Sequence, residues 1–337
     1  MQLREKIGQL LMLGSDREDP TGFVEQLAQL RAGGAVLFSR DIKDAQQLRG
    51  LNDSISERVE FSCGIRPFIA IDQEGGRVAR LRGELCPALP ANEVHGELFE
   101  TDPSAAIRAV EEQASLTARV MLDLHLNMNL APVCDVLKAT ESEVLASRCY
   151  SSDTETVSRL ASAYATKLQK SGVAACAKHF PGHGGTVVDS HLHLPVVDTG
   201  LDALEQVQLP PFKRLIDEGV AAVMTAHIVF SRFDSQPATM SRVFVQDLLL
   251  DSMQHRGMVL TDDMMMGAVM NETPVPDACL QALQAGISLL LICSSPADQT
   301  ATVERIIQAV NDGELSEDQI DRSVERNLEV KRRFGIS

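Results

Sequence analysis

Tryptophan is absent from these 337 residues, and only two tyrosines and eleven phenylalanines bring the aromatic share to 4%. Proteins that grip long polysaccharides stack sugar rings on broad aromatic faces. Their scarcity points to a small ligand held by hydrogen bonds. Basic stretches are lacking too. The net charge of −16 repels nucleic acid and anionic lipid, and no local Lys/Arg patch offsets it, so neither is expected as a partner. No apolar run approaches the roughly 18 residues of a membrane span. The short stretch 7–13, broken by Gly8 and Gln9, is no signal h-region and has no cleavage site after it. Seven cysteines without C-x-x-C spacing form neither a disulfide framework nor a zinc knuckle, and reduced thiols in a cytoplasm are expected. No linker or low-complexity stretch divides the chain, so residues 1–337 read as a single domain.

What is present is a recurrence of short apolar runs: residues 9–14, 34–39, 67–72, 126–135, 173–178, 221–227, 258–262 and 287–293. Several are apolar throughout, as parallel strands covered on both faces are. Helical segments fall between them, over 44–59, 103–124, 153–170, 201–218, 241–254 and 276–285. Residues 297–333 supply closing helices. Asp44 and the Ser-Ser-Asp-Thr before 155 are start signals. Eight strand-like runs alternating with helices predict an α/β fold, a single TIM-like (β/α)8 barrel without a second domain. A doubly wound open sheet shows the same alternation, but no G-x-G-x-x-G follows an early strand.

In a barrel the C-terminal strand ends meet at one mouth. Here those ends carry Asp72, Asp135, Lys178-His179, His227 and Asp262-Asp263. After Asp72 comes Gln-Glu-Gly-Gly-Arg77-Val-Ala-Arg80. Asp72 and Arg80 are expected to face the mouth and bind a polar ligand, while Glu74 and Arg77 read equally well as a solvated turn pair. Of Asp262 and Asp263, alternation along a strand lets only one face inward. The triple Met after them reads as packing filler.

Residues 178–195, KHFPGHGGTVVDSHLHLP, hold four of the eight histidines. Asp189 lies two residues before His191, close enough for a carboxylate to hold an imidazole and raise its pKa toward a proton-transfer role. His191 and His193, with His179, His183 and Asp262, also have the residue types of a metal site. That leaves a metal-dependent hydrolase as an alternative.

The run Lys178-His-Phe-Pro-Gly-His-Gly184, then Asp189-Ser-His191 and Pro195, resembles the signature of glycoside hydrolase family 3. Within that family the similarity is to bacterial β-N-acetylglucosaminidases. Residues 71–78, 261–266 and 8–12 match in the same order. The resemblance implies retaining hydrolysis of terminal β-linked N-acetylglucosamine. Asp262 would be the nucleophile, and His191 paired with Asp189 the acid/base. Asp72, Arg80, Arg148, Lys178 and His179 fall at sugar-binding positions. Around Arg148 the chain reads Ala-Ser-Arg-Cys-Tyr, where relatives typically carry Asn before the Arg. No cofactor or metal is implied. The implied role is cytoplasmic recycling of cell-wall fragments by a monomer acting on muropeptide sugars. A phosphorylase on the same scaffold is a further alternative. The Pro/Gly-rich segment 181–194 is expected to move as a lid, with bend points at Pro181, Gly182, Gly184 and Gly185.

Overall fold

The computed structural model describes residues 1–16, 22–137, 145–183, 194–266 and 273–336. Eight short parallel strands form one sheet: β1 (Leu11–Gly14), β2 (Gly34–Leu37), β3 (Phe68–Ile71), β4 (Met128–Asn129), β5 (Ala174–Phe180), β6 (Ala222–Thr225), β7 (Met258–Thr261) and β8 (Leu290–Ile292). Their spatial order is β7-β6-β5-β4-β3-β2-β1-β8. A parallel bridge between Leu260 and Leu289 joins the two ends. The result is a (β/α)8 barrel.

Inside and outside alternate along every strand. Met12, Val36, Phe68, Ala70, Met128, Ala174, Cys176, Met224, Met258, Leu260 and Leu291 fill the interior. Their neighbours Leu11, Leu13, Ile69, Ile71, Ala175, Val223, Val259 and Ile292 pack outward under the helices. That period of two fixes which side chains reach the mouth. Continuing Phe68-Ala70 gives Asp72, Ala174-Cys176 gives Lys178, and Met258-Leu260 gives Asp262.

The longest expected strand, 126–135, is reduced to the two residues of β4. Pro132 has no N–H to give a ladder, and the Asn129 side chain takes the Gln73 N–H at 3.0 Å. Beyond Asn129 the pairing is irregular: Leu130 donates to Ile71 O, Ala131 O accepts from Cys176, and Val133 bridges Lys178. The expected helix 201–218 is broken into Leu201–Ala203, a wider turn over Leu204–Gln208, and Leu209–Asp217 with proline in its first turn. Helices Phe23–Leu30 and Asn92–Thr101 have no counterpart in the sequence expectations.

Side-chain caps start the helices where they were read. Asp44 accepts from the Gln47 N–H, and Asp153 from Glu155 and Thr156. The N-terminal end of the barrel is plugged by the C-terminal helix Glu317–Arg333. Val330, Phe334 and Ile336 pack on the interior cluster, and Asn327 donates to Gln9 O and Ser288 O. No helix among the described residues is long and apolar enough to cross a membrane.

Candidate active site

Two carboxylates and three cations interlock at the C-terminal strand ends. Asp72, one step past β3, accepts Lys178 Nζ at 2.7 Å on one oxygen and Arg80 Nη2 at 3.0 Å on the other. Glu74 accepts both Arg148 Nε at 2.9 Å and Nη2 at 2.8 Å, a bidentate fork, and its Oε1 also lies 2.8 Å from Lys178 Nζ. The Glu74 side chain is 1% exposed and that of Lys178 3%, so these charges persist only because each is paired. Burial alone would raise both carboxyl pKa values. Lys178 and Arg80 hold Asp72 far below the usual range, and Lys178 and Arg148 hold Glu74 at about 2. The same two carboxylates raise Lys178 against its burial.

A second cluster is built on Asp135, which is fully buried. It accepts His179 Nδ1 at 2.7 Å, the His179 N–H at 3.2 Å and the His183 N–H at 2.6 Å. These contacts, with His179 foremost, hold its carboxyl at about 2 against desolvation. Asp135 therefore orients the His179 ring, whose Nε2 stands 3.5 Å from Arg148 Nη2. His183 is buried edge-on to His179, and desolvation lowers it to about 4, so it is neutral at pH 7.

Asp262 completes the mouth. His179, His227 and Lys178 lower its carboxyl pKa against burial, so it is ionised at neutral pH. Its Oδ1 accepts the Asp263 N–H at 2.8 Å. Asp263 points the other way. Its Oδ1 accepts the N–H groups of Met265 and Cys293, both at 3.1 Å, tying the β7 turn to the end of β8. His227 donates through Nε2 to Asp263 O at 3.1 Å, while its Nδ1 is buried with no hydrogen-bond partner among the described residues.

Local backbone chemistry sets these positions. The Gln73 side chain accepts from the N–H groups of Arg80 and Leu81 and donates to Leu81 O. It thereby pins the small hairpin of Gln73–Gly75 and Val78–Ala79 that returns Arg80 to Asp72. Gly75 sits at φ 105°, and a Cβ there would lie 2.3 Å from Pro90 O. A register shift in the pairing of β5 with β6 between Ala177 and Phe180 lets both Lys178 and His179 face the site.

The structure thus brings together Asp72, Arg80, Arg148, Lys178, His179 and Asp262. Asp189, His191 and His193 lie outside the described residues. Of the two readings the sequence left open for Glu74, the structure shows the buried one, an anchor for Arg148 and Lys178. The sequence marks Asp135 only as a chargeable strand end. The front of the expected lid is also corrected. Pro181 to His183 are buried, Gly182 donates to His179 O, and a Cβ on Gly182 would meet Gln208 Oε1 at 2.5 Å. Pro181 and Gly182 are therefore fixed ends rather than bend points. Among the described residues no three His, Cys, Asp or Glu side chains are grouped to hold a metal ion.

A (β/α)8 barrel whose C-terminal strand ends gather an ionised carboxylate and paired cations has its polar site where TIM-barrel enzymes have theirs. Residues 2–330 match the family model for the glycosyl hydrolase family 3 N-terminal domain. The chain belongs to glycoside hydrolase family 3. It is 35% identical over 282 residues to a protein named beta-hexosaminidase from Alkalilimnicola ehrlichii, covering 83% of this chain and 79% of that one. A family 3 beta-N-acetylglucosaminidase from Paenibacillus sp. str. FPU-7 superposes with a TM-score of 0.94 at 33% identity. The alignment covers all of this chain, which spans 63% of the Paenibacillus chain. A Beta-N-acetylhexosaminidase from Beutenbergia cavernae superposes with a TM-score of 0.90 at 26% identity, covering 98% of this chain and 99% of that one.

Proposed function

We propose that this protein is a retaining, exo-acting β-N-acetylglucosaminidase that works through a covalent glycosyl-enzyme on Asp262. The observation that carries the reading is the position of Asp262. It is an inward strand-end carboxylate kept ionised by His179, His227 and Lys178, beside a polar cradle of Asp72, Arg80 and Lys178. The names borne by the relatives support the sugar.

In the first step an Asp262 oxygen bonds to the anomeric carbon as the glycosidic C–O bond breaks. The His191 imidazolium, held by Asp189, gives its proton to the departing oxygen. Neutral His191 then takes a proton from water, which attacks the anomeric carbon and frees Asp262. Two displacements on one carbon restore its configuration. Asp72 and Lys178 are placed to orient ring hydroxyls and so turn binding into positioning. Arg148 acts from behind them by neutralising Glu74.

The aromatic scarcity of the chain favours a short fragment over a polymer. The substrate in this reading is an N-acetylglucosaminyl anhydro-N-acetylmuramoyl peptide, cleaved by a cytoplasmic monomer during cell-wall recycling. The test follows hydrolysis of an aryl β-N-acetylglucosaminide by NMR, with and without added phosphate. Release of β-N-acetylglucosamine as the first-formed anomer, indifferent to phosphate, agrees with the proposal. First-formed α anomer, or a sugar 1-phosphate, contradicts it.

A further inference from the structure

A second concave site lies away from the catalytic mouth. It is a cleft of about 460 Å³ between the helix Val243–Ser252, the C-terminal helix Glu317–Arg333, and the turns that lead into β7 and β8. Arg256 and Gly286, both in its lining, lie just before those strands, so it opens at the end of the barrel opposite Asp262. Its size falls within the range of small-ligand sites.

Its lining is unusual for a chain of net charge −16. Arg242, Arg256, Arg322 and Arg326 all border it, and Asp251 is its one carboxylate. Arg322 and Arg326 stand four apart on a single helix face, an arrangement of like charges that slightly destabilises a helix. The compensation nearby is thin. Arg326 Nη1 is held by two carbonyls, His255 O and Gly257 O, both at 3.1 Å. Arg256 reaches the Gln254 side chain, and Arg242 stands 3.8 Å from Asp247. Asp251 already accepts from Gln246. Burial first and the neighbouring Arg256 second press Arg326 below its ordinary pKa, although Glu329 opposes them, so the two guanidinium groups feel one another. Gly286 has φ 115°, and a Cβ there would come within about 3.3 Å of Val245, Gln246 and Leu250. Glycine thus lets the turn before β8 pack closely on the helix Val243–Ser252 at the edge of the cleft.

We propose that this cleft binds a phosphorylated small molecule, of sugar-phosphate to nucleotide size. Planar guanidinium forks match phosphate oxygens two at a time. The Ser323 hydroxyl, beside Arg322 and Arg326 on the same helix, adds a neutral donor for the rest of the ligand, while the Gln319 amide is already held by Leu283 O and Gln284 O. The concavity favours a small anion over an extended acidic surface.

The test is calorimetric titration of the full chain with ADP and with inorganic pyrophosphate at low salt. Both should bind with a dissociation constant below about 1 mM. The double variant Arg256→Gln/Arg322→Gln should bind at least about tenfold more weakly, one decade corresponding to about 1.4 kcal/mol. It should hydrolyse an aryl glycoside at the unaltered rate in the absence of probe. Asp262→Ala should bind both probes as the parent does. Absence of binding by either probe at millimolar concentration would overturn the proposal. So would undiminished binding by the double variant, or binding lost in Asp262→Ala.

Discussion

Lys178 is shared between two acids, 2.7 Å from Asp72 and 2.8 Å from Glu74, and Arg148 closes the far side of Glu74. Removing Arg148 takes two charge-assisted hydrogen bonds from the buried Glu74 carboxylate and leaves it only Lys178. Arg148→Met should therefore cost about 3 kcal/mol of stability, read as a shift in the urea midpoint. Glu74→Gln in the same background should recover part of it, because a neutral amide costs less to leave under-paired than a carboxylate. An additive double variant would show that the pair is not coupled. The two adjacent aspartates should separate cleanly. Asp262→Asn should lower kcat by on the order of 10³-fold or more while leaving the fold intact. Asp263→Asn should retain most turnover but melt earlier, since its oxygen joins two strand ends. Equal kinetic losses in both would argue against the inward assignment of Asp262.

At the scale of the element, two segments matter to the proposed chemistry. The hairpin after β3 depends on a left-handed glycine under Pro90 O. Gly75→Ala should misplace Arg80 and cost roughly 1–3 kcal/mol, with a raised KM as its kinetic mark. The second is the stretch of sequence bearing His191, to which the proposal gives the proton transfer. If His191 is the proton donor, His191→Ala should slow glycosides with basic leaving oxygens by about 10²–10⁴-fold and spare activated aryl glycosides. A uniform loss across leaving groups would remove it from that role.

These elements also show what the sequence disclosed. The runs Phe68-Ala70-Asp72, Ala174-Cys176-Lys178 and Met258-Leu260-Asp262 carry their facing in their period, because alternation along a strand is local. Glu74 and Asp135 were less legible. Glu74 lies in a hairpin whose fold depends on Gln73 and on a distant Arg148. Asp135 follows a proline-broken stretch where the period of two no longer applies. The short helix Asn92–Thr101 lacks a side-chain cap and has no strong local signal. It is fixed in part by packing, since a Cβ on Gly96 would strike Tyr150 O at 1.6 Å.

For the whole molecule, pH enters through groups at both ends of the barrel. At the mouth, Glu74 and Asp135 are held at about 2, below their ordinary values of 4.5 and 3.8. The unfolded chain takes up those protons first. The stability they contribute is complete above about pH 4.5 and is lost as pH falls toward 2. At the plugged end, Lys331 is fully buried. Its Nζ donates to Gln9 Oε1 at 2.9 Å and lies 5.4 Å from the Phe68 ring centre. Desolvation lowers it from 10.5 to about 7. Between those values the unfolded chain binds one more proton than the folded one. The Lys331 contribution should therefore make stability rise with pH from 7 toward 10, by up to about 1.4 kcal/mol per unit. Denaturant midpoints of the parent and Lys331→Met at pH 7 and 9 check this. The substitution should remove that part of the slope, and an unchanged slope would contradict it.

In the proposed mechanism the inward carboxylate just past β7 becomes covalently bonded to the sugar. Incubation with a 2-fluoro glycosyl donor, followed by proteolysis and mass spectrometry, checks this. One added glycosyl unit is expected on the peptide containing residues 258–266, with fragment ions placing it on Asp262. A label on Asp263 or on another residue, or continued turnover with no trapped adduct, would contradict it.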